Sequence, residues 1–363
     1  MKKKLRVAIL FGGKSAEHEI SLISARNIVE AMDKTKYDVV AIGIDKQGRW
    51  HLDEGARLLH GVAQSAVDFK DAKNIAAVRP GDTATPVVRS SGSGLGAIDV
   101  VFPVLHGPFG EDGTIQGLFE LAGVPFVGSG CAASAVGMDK AFMKGVFASV
   151  GLAQAQYRVI LHYQRERARS MVEPLGLPLF VKPANLGSSV GVSKVKRWEE
   201  LDEALDLAFE YDRKIVVEEG LDAREIELGI LGNEEPEASV VGEIVPDREF
   251  YDYDSKYSAE SRTELRIPAP IHAAAVREAQ ELGVRVFHAV DASGYARVDF
   301  LMDRRSGKLY VNEINTIPGF TSISMFPKLW DASGIDYDDL LSQIVDLAFE
   351  RHRQRRALRT DYR

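Results

Sequence analysis

The sequence predicts an α/β protein that begins with an open parallel sheet. Leu5 to Phe11 is a short apolar segment typical of a buried strand, Ser21 to Met32 carries apolar residues at helical spacing, and Tyr37 to Ile44 is a second apolar segment. This order is that of a β-α-β unit, which joins parallel strands. Asp99 to Leu105 is almost continuously apolar, as expected of a parallel strand covered on both faces. We expect this first domain to span residues 1–128.

Two α+β units are expected after this domain, a central unit at residues 129–223 and a C-terminal unit at residues 224–363. Their helices are expected at Lys140 to Val150, Glu199 to Tyr211, His272 to Val290 and Tyr337 to Arg353. The further strands are expected at Val124 to Val127, Tyr157 to Ile160, Leu179 to Val181, Val190 to Val195, Ile215 to Glu218, Ile226 to Leu231, Ser239 to Ile244, Ala296 to Leu301 and Val311 to Asn315.

Composition argues against several kinds of protein. The 363 residues carry a net charge of −8, so the basic surface that nucleic-acid binding needs is not expected. Cys131 is the only cysteine, which excludes an intrachain disulfide and fits a reducing, cytoplasmic location. The apolar run after the basic residues Met1 to Lys4 is short and is interrupted by Arg6, unlike a signal peptide. No segment approaches the ~20 apolar residues of a membrane span, so no membrane partner is expected.

The most informative pattern is a predicted hairpin with four polar residues. If its turn is centred on Ser306, Asp299 pairs with Glu313 and Arg297 pairs with Asn315. Side chains alternate along a strand, so all four would project from one face of the sheet. Two carboxylates directly opposite each other weaken a sheet, which indicates a cation at this place. Carboxylate and amide oxygens suit Mg²⁺, which binds through one or two carboxylates and substrate phosphates.

Lys182 to Gly191 is a second informative segment, rich in glycine and serine between two predicted strands. Such a turn can present backbone N–H groups and hydroxyls to phosphate oxygens, and Lys182 adds a positive charge. It is not a Walker A motif, because no Gly-Lys-Ser/Thr opens a helix, and an ordinary hairpin with a flexible tip is equally favoured by the residues alone. Glu218, Glu219 and Glu225 are on their own most simply surface charges.

Three other features have both a structural and a functional interpretation. Glu17 lies at a predicted helix N-terminus, where its charge complements the helix dipole. His106 follows a predicted strand at its carboxyl end, where α/β sheets bind ligands, although a histidine there is more often structural. The loop at 246–262 holds several aromatic residues among charges, which favours a lid that closes on substrate and excludes water over an ordinary surface loop.

Taken together, the motifs resemble those of the ATP-grasp enzymes and, more closely, of the D-alanine–D-alanine ligases. The resemblance runs from about Leu5 to Phe349 and is weakest from Asp53 to Ala97. It implies an ATP-grasp fold, in which a Rossmann-like domain precedes two α+β subdomains that enclose ATP. The segments that carry it are Gly12 to Glu19, His106-Gly107, Gly110 to Gly113, Lys140, Lys182, Gly187 to Gly191, Glu218 to Glu225, Tyr253 to Tyr257, Asp299, Glu313 and Asn315 to Thr321.

The resemblance implies ATP and two Mg²⁺ ions, with Mn²⁺ able to substitute. Asp299, Glu313 and Asn315 would bind the metal ions. The phosphates would be contacted by lysines and covered by the loop at Ser189, while adenine and ribose would be held by glutamates, backbone groups and an aromatic cover. The residues implied in ATP binding are Lys140, Lys182, Ser189, Glu218, Glu219, Leu221, Glu225, Phe250 and Lys256.

The resemblance also implies that two D-alanine molecules are joined through an acyl phosphate, for peptidoglycan synthesis, by a homodimer. His106 and Ser324 would bind substrate, and Ser324 would contact the carboxylate of the second D-alanine. The implied catalytic residues are Glu17, Ser188, Tyr257, Arg297 and Gly319. Glu17 would hold the ammonium of the first D-alanine, and Arg297 with the Gly319 N–H would stabilise the tetrahedral centre and its oxyanion. Tyr257 would contact Ser188 across the closed site.

Three alternatives remain open at this point. A D-alanine–D-lactate ligase shares the fold, but tyrosine at position 257 accompanies peptide formation in the family, whereas phenylalanine accompanies ester formation. A Rossmann dehydrogenase is suggested by the first strand and Gly12-Gly13, which lack the Gly-x-Gly-x-x-Gly pattern. A nucleotide-binding module without catalysis is the third, and the complete set of Asp299, Glu313 and Asn315 argues against it.

Overall fold

The computed structural model describes residues 3–52, 76–78, 87–89, 97–246 and 263–359. The predicted lid residues Phe250, Lys256 and Tyr257 lie outside the described residues. The strands are Leu5–Gly12 (β1), Tyr37–Ile44 (β2), Trp50–His51 (β3), Ala76–Val78 (β4), Val87–Arg89 (β5), Val100–Val104 (β6), Tyr157–Leu161 (β7), Leu179–Pro183 (β8), Ser193–Val195 (β9), Lys214–Glu219 (β10), Ala223–Gly232 (β11), Glu237–Val245 (β12), Glu264–Arg266 (β13), Gly294–Asp303 (β14) and Leu309–Asn315 (β15).

The α-helices of the described ranges vary in length from one to six turns. None of them is both long and apolar enough to cross a bilayer. They are His18–Ala31 (α1), Thr114–Ala122 (α2), Cys131–Met138 (α3), Lys140–Ser149 (α4), Ala168–Val172 (α5), Leu201–Tyr211 (α6), Ala273–Ala289 (α7), Met325–Asp331 (α8) and Tyr337–Ala357 (α9), with short 3₁₀ segments at His162–Arg167, Glu173–Leu175 and Trp198–Glu200.

The first sheet has the strand order β3-β2-β1-β6, and β1 is parallel to both β2 and β6. The predicted β-α-β start is therefore confirmed. The predicted strand at Val124 to Val127 is wrong in extent, since only Phe126 bridges to Val101. Pro125 has no N–H to donate, and Gly123 and Gly128 turn the chain at positive φ on either side, so the segment is too short to form a ladder.

The central sheet, β7-β10-β8-β9, is antiparallel and is covered by α6, whose Leu201 and Leu205 are buried. The last strand begins at Ser193 rather than at Val190 as predicted. Ser188 and Ser189 have φ values of +48° and +59°, which extended chain does not adopt, so the segment turns before it pairs.

The third sheet, β13-β12-β11-β14-β15, contains the predicted hairpin. Asp299 pairs with Glu313 and Arg297 with Asn315, so the predicted pairing is confirmed. The single turn centre is wrong, because Phe300 pairs with Val311 nearer the turn. A β-bulge inserts one residue between the two pairings, and this extra residue restores the register at the polar end of the hairpin.

The first domain and the C-terminal unit share one hydrophobic core. The Phe102 ring of β6 meets Phe320 edge-on with their centroids 6.1 Å apart, and Phe320 also contacts Tyr295 and Phe326. Helix α9 adds further buried residues to the same core. The central sheet has a separate core that involves residues from Ile160 to Val217. Helices α3 and α4 of the central unit add Ala133, Met143 and Phe147 to another core with β11, β14 and β15, so packing crosses both proposed boundaries, near residues 128 and 223.

Phe102→Ala is expected to destabilise the first domain and the C-terminal unit together, because its ring packs in their shared core. Large-to-small aromatic substitutions in cores cost about 3–5 kcal/mol. Each unit contains one tryptophan, at positions 50, 198 and 330, so single-tryptophan variants report each unit separately during urea unfolding. The urea midpoints reported by Trp50 and by Trp330 should both decrease, and by the same amount.

Leu205→Ala, in the separate core of the central sheet, is the matched control and should lower chiefly the midpoint at Trp198. A change at Trp50 with none at Trp330 would contradict a shared core.

Candidate active site

The candidate site lies where the three units meet. The hydroxyl of Ser188, in the loop between β8 and β9, donates a hydrogen bond to Glu17 Oε1 of the first domain. Lys140 Nζ at the start of α4 is 3.9 Å from Glu313 Oε2 of β15. These contacts bring predicted residues that are far apart in sequence to one cleft.

Arg297 forms an ion cluster on the open face of the third sheet. Its Nε and Nη2 donate to the two oxygens of Asp299, both at 2.7 Å, and Nε is 3.0 Å from Glu227 Oε2. Asp299 and Glu227 are only 8% and 6% exposed. Burial by itself lowers the pKa of the Arg297 guanidinium, but the two carboxylates raise it well above its usual range. Arg297 therefore keeps its positive charge beside the two carboxylates.

This cluster changes the interpretation of the predicted carboxylate pair. The cation that the opposed Asp299 and Glu313 require is supplied in part by Arg297, which was expected to face the second substrate. Glu227 is not predicted from the sequence. It lies opposite Asp299 on β11, and the alternation of glutamates with apolar residues from Glu225 to Leu228 is the signal that could have placed it.

The predicted metal ligands provide oxygen donors only. Asp299 and Glu313 are cross-strand partners, and Asn315 Oδ1 accepts a hydrogen bond from the Ile317 N–H at 3.0 Å, which orients the amide. In the described ranges no three His, Cys, Asp or Glu side chains converge to hold a metal ion. Two carboxylates and one amide fit Mg²⁺, which takes its remaining ligands from phosphates and water.

Glu218 is not the surface charge that the sequence alone favoured. It is 2% exposed, Lys182 Nζ donates to its Oε2 at 2.8 Å, and Lys144 Nζ is 3.1 Å from its Oε1. Burial raises the pKa of Glu218, but the two lysines outweigh burial and lower it to about 2. Lys144 is not predicted from the sequence either, although it lies one helical turn after Lys140 on the same side of α4.

The other residues predicted to bind the nucleotide lie near Glu218 and its two lysines. The side chain of Glu219 accepts from the Gln156 N–H at 2.8 Å, and its own N–H donates to the Gln156 carbonyl at 2.9 Å. Glu225 is close enough to Lys182 to raise the pKa of that lysine, together with Glu218, against the opposing effect of burial. Leu221 follows in the connection between β10 and β11.

The loop after β8 is held at both sides of the cleft. Lys140 Nζ donates to the Leu186 carbonyl at 2.6 Å, and the hydroxyl of Ser188 reaches Glu17. A Cβ on Gly187 would lie 3.1 Å from Glu17 Oε2, so a side chain at this position would crowd the carboxylate. The successive positive φ values of Ser188 and Ser189 make a tight turn whose backbone groups can face an anion.

Glu17 and His106 come together at the carboxyl ends of β1 and β6. Glu17 is at the N-cap position of α1 but its side chain makes no capping hydrogen bond, and a Cβ on Gly107 would lie 2.9 Å from its Oε2. His106 Nδ1 donates to the Ile317 carbonyl at 3.1 Å, while its buried Nε2 has no hydrogen-bond partner in the described part of the chain. Burial lowers the pKa of His106 more than Glu17 raises it. The ring is therefore neutral, with Nε2 as an acceptor.

Glu111 is a second buried carboxylate beside Glu17 that the sequence does not predict. It accepts a hydrogen bond from the Gly107 N–H at 2.6 Å. Burial and the negative charge of Glu17 raise the pKa of Glu111 well above its usual value. The raised pKa favours the protonated form of Glu111.

Gly319 and Ser324 are adjacent at the opposite wall. A Cβ on Gly319 would lie 2.8 Å from Ser324 Oγ, closer than real Cβ contacts come. Ser324 Oγ accepts from the Thr321 N–H at 3.0 Å and contacts Thr321 Oγ1 at 2.8 Å. The Phe320 N–H donates to Ser24 Oγ of α1, which ties this wall to the first domain. A side chain at position 319 would therefore displace the Ser324 hydroxyl.

Two family models match most of the chain: "D-ala D-ala ligase N-terminus" over residues 6–129 and "D-ala D-ala ligase C-terminus" over residues 146–346. The chain belongs to the D-alanine–D-alanine ligase family. It is 50% identical to the D-alanine–D-alanine ligase of Heliobacterium modesticaldum, with 99% of this chain and 98% of the relative aligned. It is 46% identical to D-alanine–D-alanine ligase A of Bradyrhizobium diazoefficiens over the full length of both.

Solved structures support the same assignment. The D-alanine–D-alanine ligase of Coxiella burnetii matches with a TM-score of 0.84 and 37% identity, over 98% of this chain and 96% of that one. A D-Ala:D-Ser ligase from Enterococcus faecalis matches with a TM-score of 0.85 and 36% identity, over 95% of this chain and all of that one. The expected ATP-grasp fold is confirmed, and membership of this ligase family implies the use of ATP.

Ser188→Ala is expected to loosen the loop after β8, because it removes the hydrogen bond to Glu17. A hydrogen bond to a charged group contributes about 1.5–3 kcal/mol, so amide exchange of residues 186–192 should accelerate at least tenfold in hydrogen-exchange mass spectrometry. Ser149→Ala removes a hydroxyl that bonds to Val146 within the exposed end of α4. It should leave the exchange of the loop unchanged. Equal exchange in Ser188→Ala and the wild type would contradict the contact.

Proposed function

We propose that the protein joins two D-alanine molecules at the expense of ATP, forming D-alanyl-D-alanine for peptidoglycan synthesis. The observation that carries this proposal is the contact between Ser188 and Glu17. It joins a loop suited to phosphates, in one unit, to a charged carboxylate suited to an amino acid ammonium, in another. A dehydrogenase or a passive nucleotide-binding module gives no reason for this junction, and no comparison supports the D-lactate ligase alternative.

We propose that ATP lies between the central and C-terminal units. Lys140 and Lys182 provide positive charge for the phosphates on either side of the loop that contains Ser189. The buried carboxylate of Glu218 provides an acceptor for adenine, and Glu225 one for the ribose hydroxyls. Backbone groups of Glu219 and Leu221 would also hold adenine and ribose. From the lid, Phe250 would cover the adenine and Lys256 would contact the phosphates.

We propose that Asp299, Glu313 and Asn315 hold two Mg²⁺ ions together with phosphate oxygens. Their support is the all-oxygen donor set on one face of a hairpin, with Lys140 and Arg297 beside it. When bound there, Mg²⁺ would supply positive charge that offsets the negative charge developing on the phosphates during transfer.

In the first step, Glu17 would hold the ammonium of the first D-alanine, and the neutral His106 would accept from it through Nε2. One carboxylate oxygen of this D-alanine attacks the γ-phosphorus of ATP. A new oxygen–phosphorus bond forms and the bond to the β-phosphate oxygen breaks, which yields an acyl phosphate and ADP as the leaving group. Lys140 and Lys182 stabilise the transferring group electrostatically. The closed loop at Ser188 excludes water that would hydrolyse the acyl phosphate.

In the second step, the amine of the second D-alanine attacks the acyl carbonyl. The carbon–nitrogen bond forms, the carbon–oxygen bond to phosphate breaks, and the departing phosphate carries away the proton that the amine loses. Arg297 and the Gly319 N–H would stabilise the oxyanion, and such preorganised donors typically contribute about 3–4 kcal/mol each. Ser324, which adjoins Gly319, would bind the carboxylate of the second substrate. Tyr257 is proposed to act with Ser188 at the incoming amine.

We also propose a homodimer in the cytoplasm. The first domain carries an apolar cavity of about 800 Å³ beside the exposed side chains of Phe109 and Leu121, a surface that a second copy would cover. The single cysteine, Cys131, suits a reducing compartment.

Phosphate release with ATP and Mg²⁺ tests the proposed function most directly, with D-alanine, D-lactate, D-serine and L-alanine offered in parallel. Release should require D-alanine and yield a dipeptide that mass spectrometry identifies.

Tyr257→Phe is expected to increase the use of D-lactate relative to D-alanine, because the hydroxyl at this position accompanies peptide formation in the family. Release without any amino acid would contradict the ligase reaction, and an unchanged acceptor preference between pH 6 and 9 would contradict the role of Tyr257.

Glu313→Gln is expected to abolish turnover while leaving the free energy of unfolding unchanged or higher, because it removes a charge opposite Asp299. Asp299→Asn should also abolish turnover but should destabilise the fold, since Arg297 then loses its bidentate partner beside the buried Glu227. Mn²⁺ binding in the presence of ADP, followed by electron paramagnetic resonance, should weaken in both variants. Glu264→Gln, an exposed carboxylate of β13, is the control. Tight Mn²⁺ binding by Glu313→Gln would refute the metal assignment.

A further inference from the structure

Lys144 is a buried ammonium to which the proposed reaction gives no role. It is 1% exposed, within helix α4, and its Nζ is 3.1 Å from Glu218 Oε1. Burying a charged pair costs desolvation energy, and well-packed apolar residues are often at least as stabilising. A lysine at this position therefore calls for an explanation beyond stability.

The charged groups that face Lys144 are arranged around one carboxylate. Lys182 Nζ donates a hydrogen bond to Oε2 of Glu218 at 2.8 Å. The negative charge of Glu313, on β15, favours the charged form of Lys144. The Tyr157 ring lies 5.4 Å from Lys144 Nζ, as in a cation–π contact. Burial and Lys182 lower the pKa of Lys144, while Glu218 and Glu313 raise it. Each oxygen of Glu218 thus has its own ammonium group.

Two ammonium groups on opposite oxygens fix the plane of a carboxylate. An ionised carboxylate has about four lone-pair positions, so two remain for a ligand after both lysines are paired. Such a group accepts a hydrogen bond from an exocyclic amino group, as adenine carries at carbon 6. It repels a 6-oxo oxygen, which is an acceptor at the same place in guanine and hypoxanthine. The direction of those free lone pairs depends on both lysines.

We propose that Lys144 is a positioning residue that fixes Glu218 to read the 6-amino group, so that the enzyme prefers ATP to 6-oxo purine triphosphates. This proposal rests on the proposed function. Lys144 acts through Glu218 and does not touch the nucleotide. Without it, the carboxylate turns toward Lys182 and is protonated at a higher pH.

Lys144→Met, which keeps the side-chain volume and removes the charge, tests the proposal with ATP and ITP as alternative substrates. We expect the KM for ATP to rise about tenfold, as for the loss of a charge-assisted hydrogen bond, with a much smaller change for ITP. The KM for D-alanine and kcat should stay within about twofold of the wild type. In the variant alone, kcat/KM for ATP should fall as the pH is lowered toward 6, because Glu218 becomes protonated.

Lys144→Arg keeps the charge and should keep the preference for ATP within about threefold. Glu218→Gln separates a positioning role from direct contact: in that background Lys144→Met should have no further effect on the ATP-to-ITP ratio. An unchanged ratio in Lys144→Met, or a further change in the double variant, would overturn the proposal. Wild-type protein without D-alanine-dependent phosphate release would instead contradict the proposed function, and the two failures are therefore distinct. If Lys144→Met alone does not fold, the ATP-to-ITP ratio is measured in Lys144→Arg and in Lys144→Met with Glu218→Gln. Loss of the preference for ATP in Lys144→Arg would then overturn the proposal.

Discussion

The ion cluster of Arg297, Asp299 and Glu227 is the interaction on which the floor of the cleft depends. Without a guanidinium between them, adjacent strands of the third sheet would present buried carboxylates side by side, and each unpaired charge would cost several kcal/mol of desolvation energy. With it, the sheet can carry Asp299 and Glu313 toward the cleft while remaining folded. A positively charged group is thereby available where the proposed reaction develops negative charge.

Local patterns determined how far the fold and the site could be predicted from the sequence. The parallel strands of the first domain and the pairing of Asp299 with Glu313 followed from apolar runs and a short turn. Glu227 could not be placed in the same way, because its pairing with β14 joins residues that are more than seventy positions apart. The burial of Glu218 depends on Lys144 and Lys182, which come from a helix and another strand. The bulge between Asp299 and Phe300 could not be placed either, because no glycine or proline lies beside it in the sequence.

Charge is distributed unevenly through the cleft, and burial explains how. Glu218 stays ionised because two lysines compensate for its burial, whereas burial and Glu17 favour the neutral form of Glu111. Burial also lowers the pKa of His106 and favours its neutral form, although the negative charge of Glu17 opposes this. Burial and the neighbouring charges thus shift the pKa values of three groups in the cleft in different ways, because the charges beside each group differ.

The shared aromatic core has a mechanical consequence. Because Phe102, Tyr295 and Phe320 interlock, the first domain and the C-terminal unit behave as one rigid body. The central sheet has its own core and reaches the first domain through the polar contact of Ser188 with Glu17. A hydrogen bond exchanges with water far more readily than a packed ring, so the contact of Ser188 with Glu17 opens at less cost than the aromatic core. The loop side of the cleft can therefore separate from the first domain while the floor of the cleft stays in place.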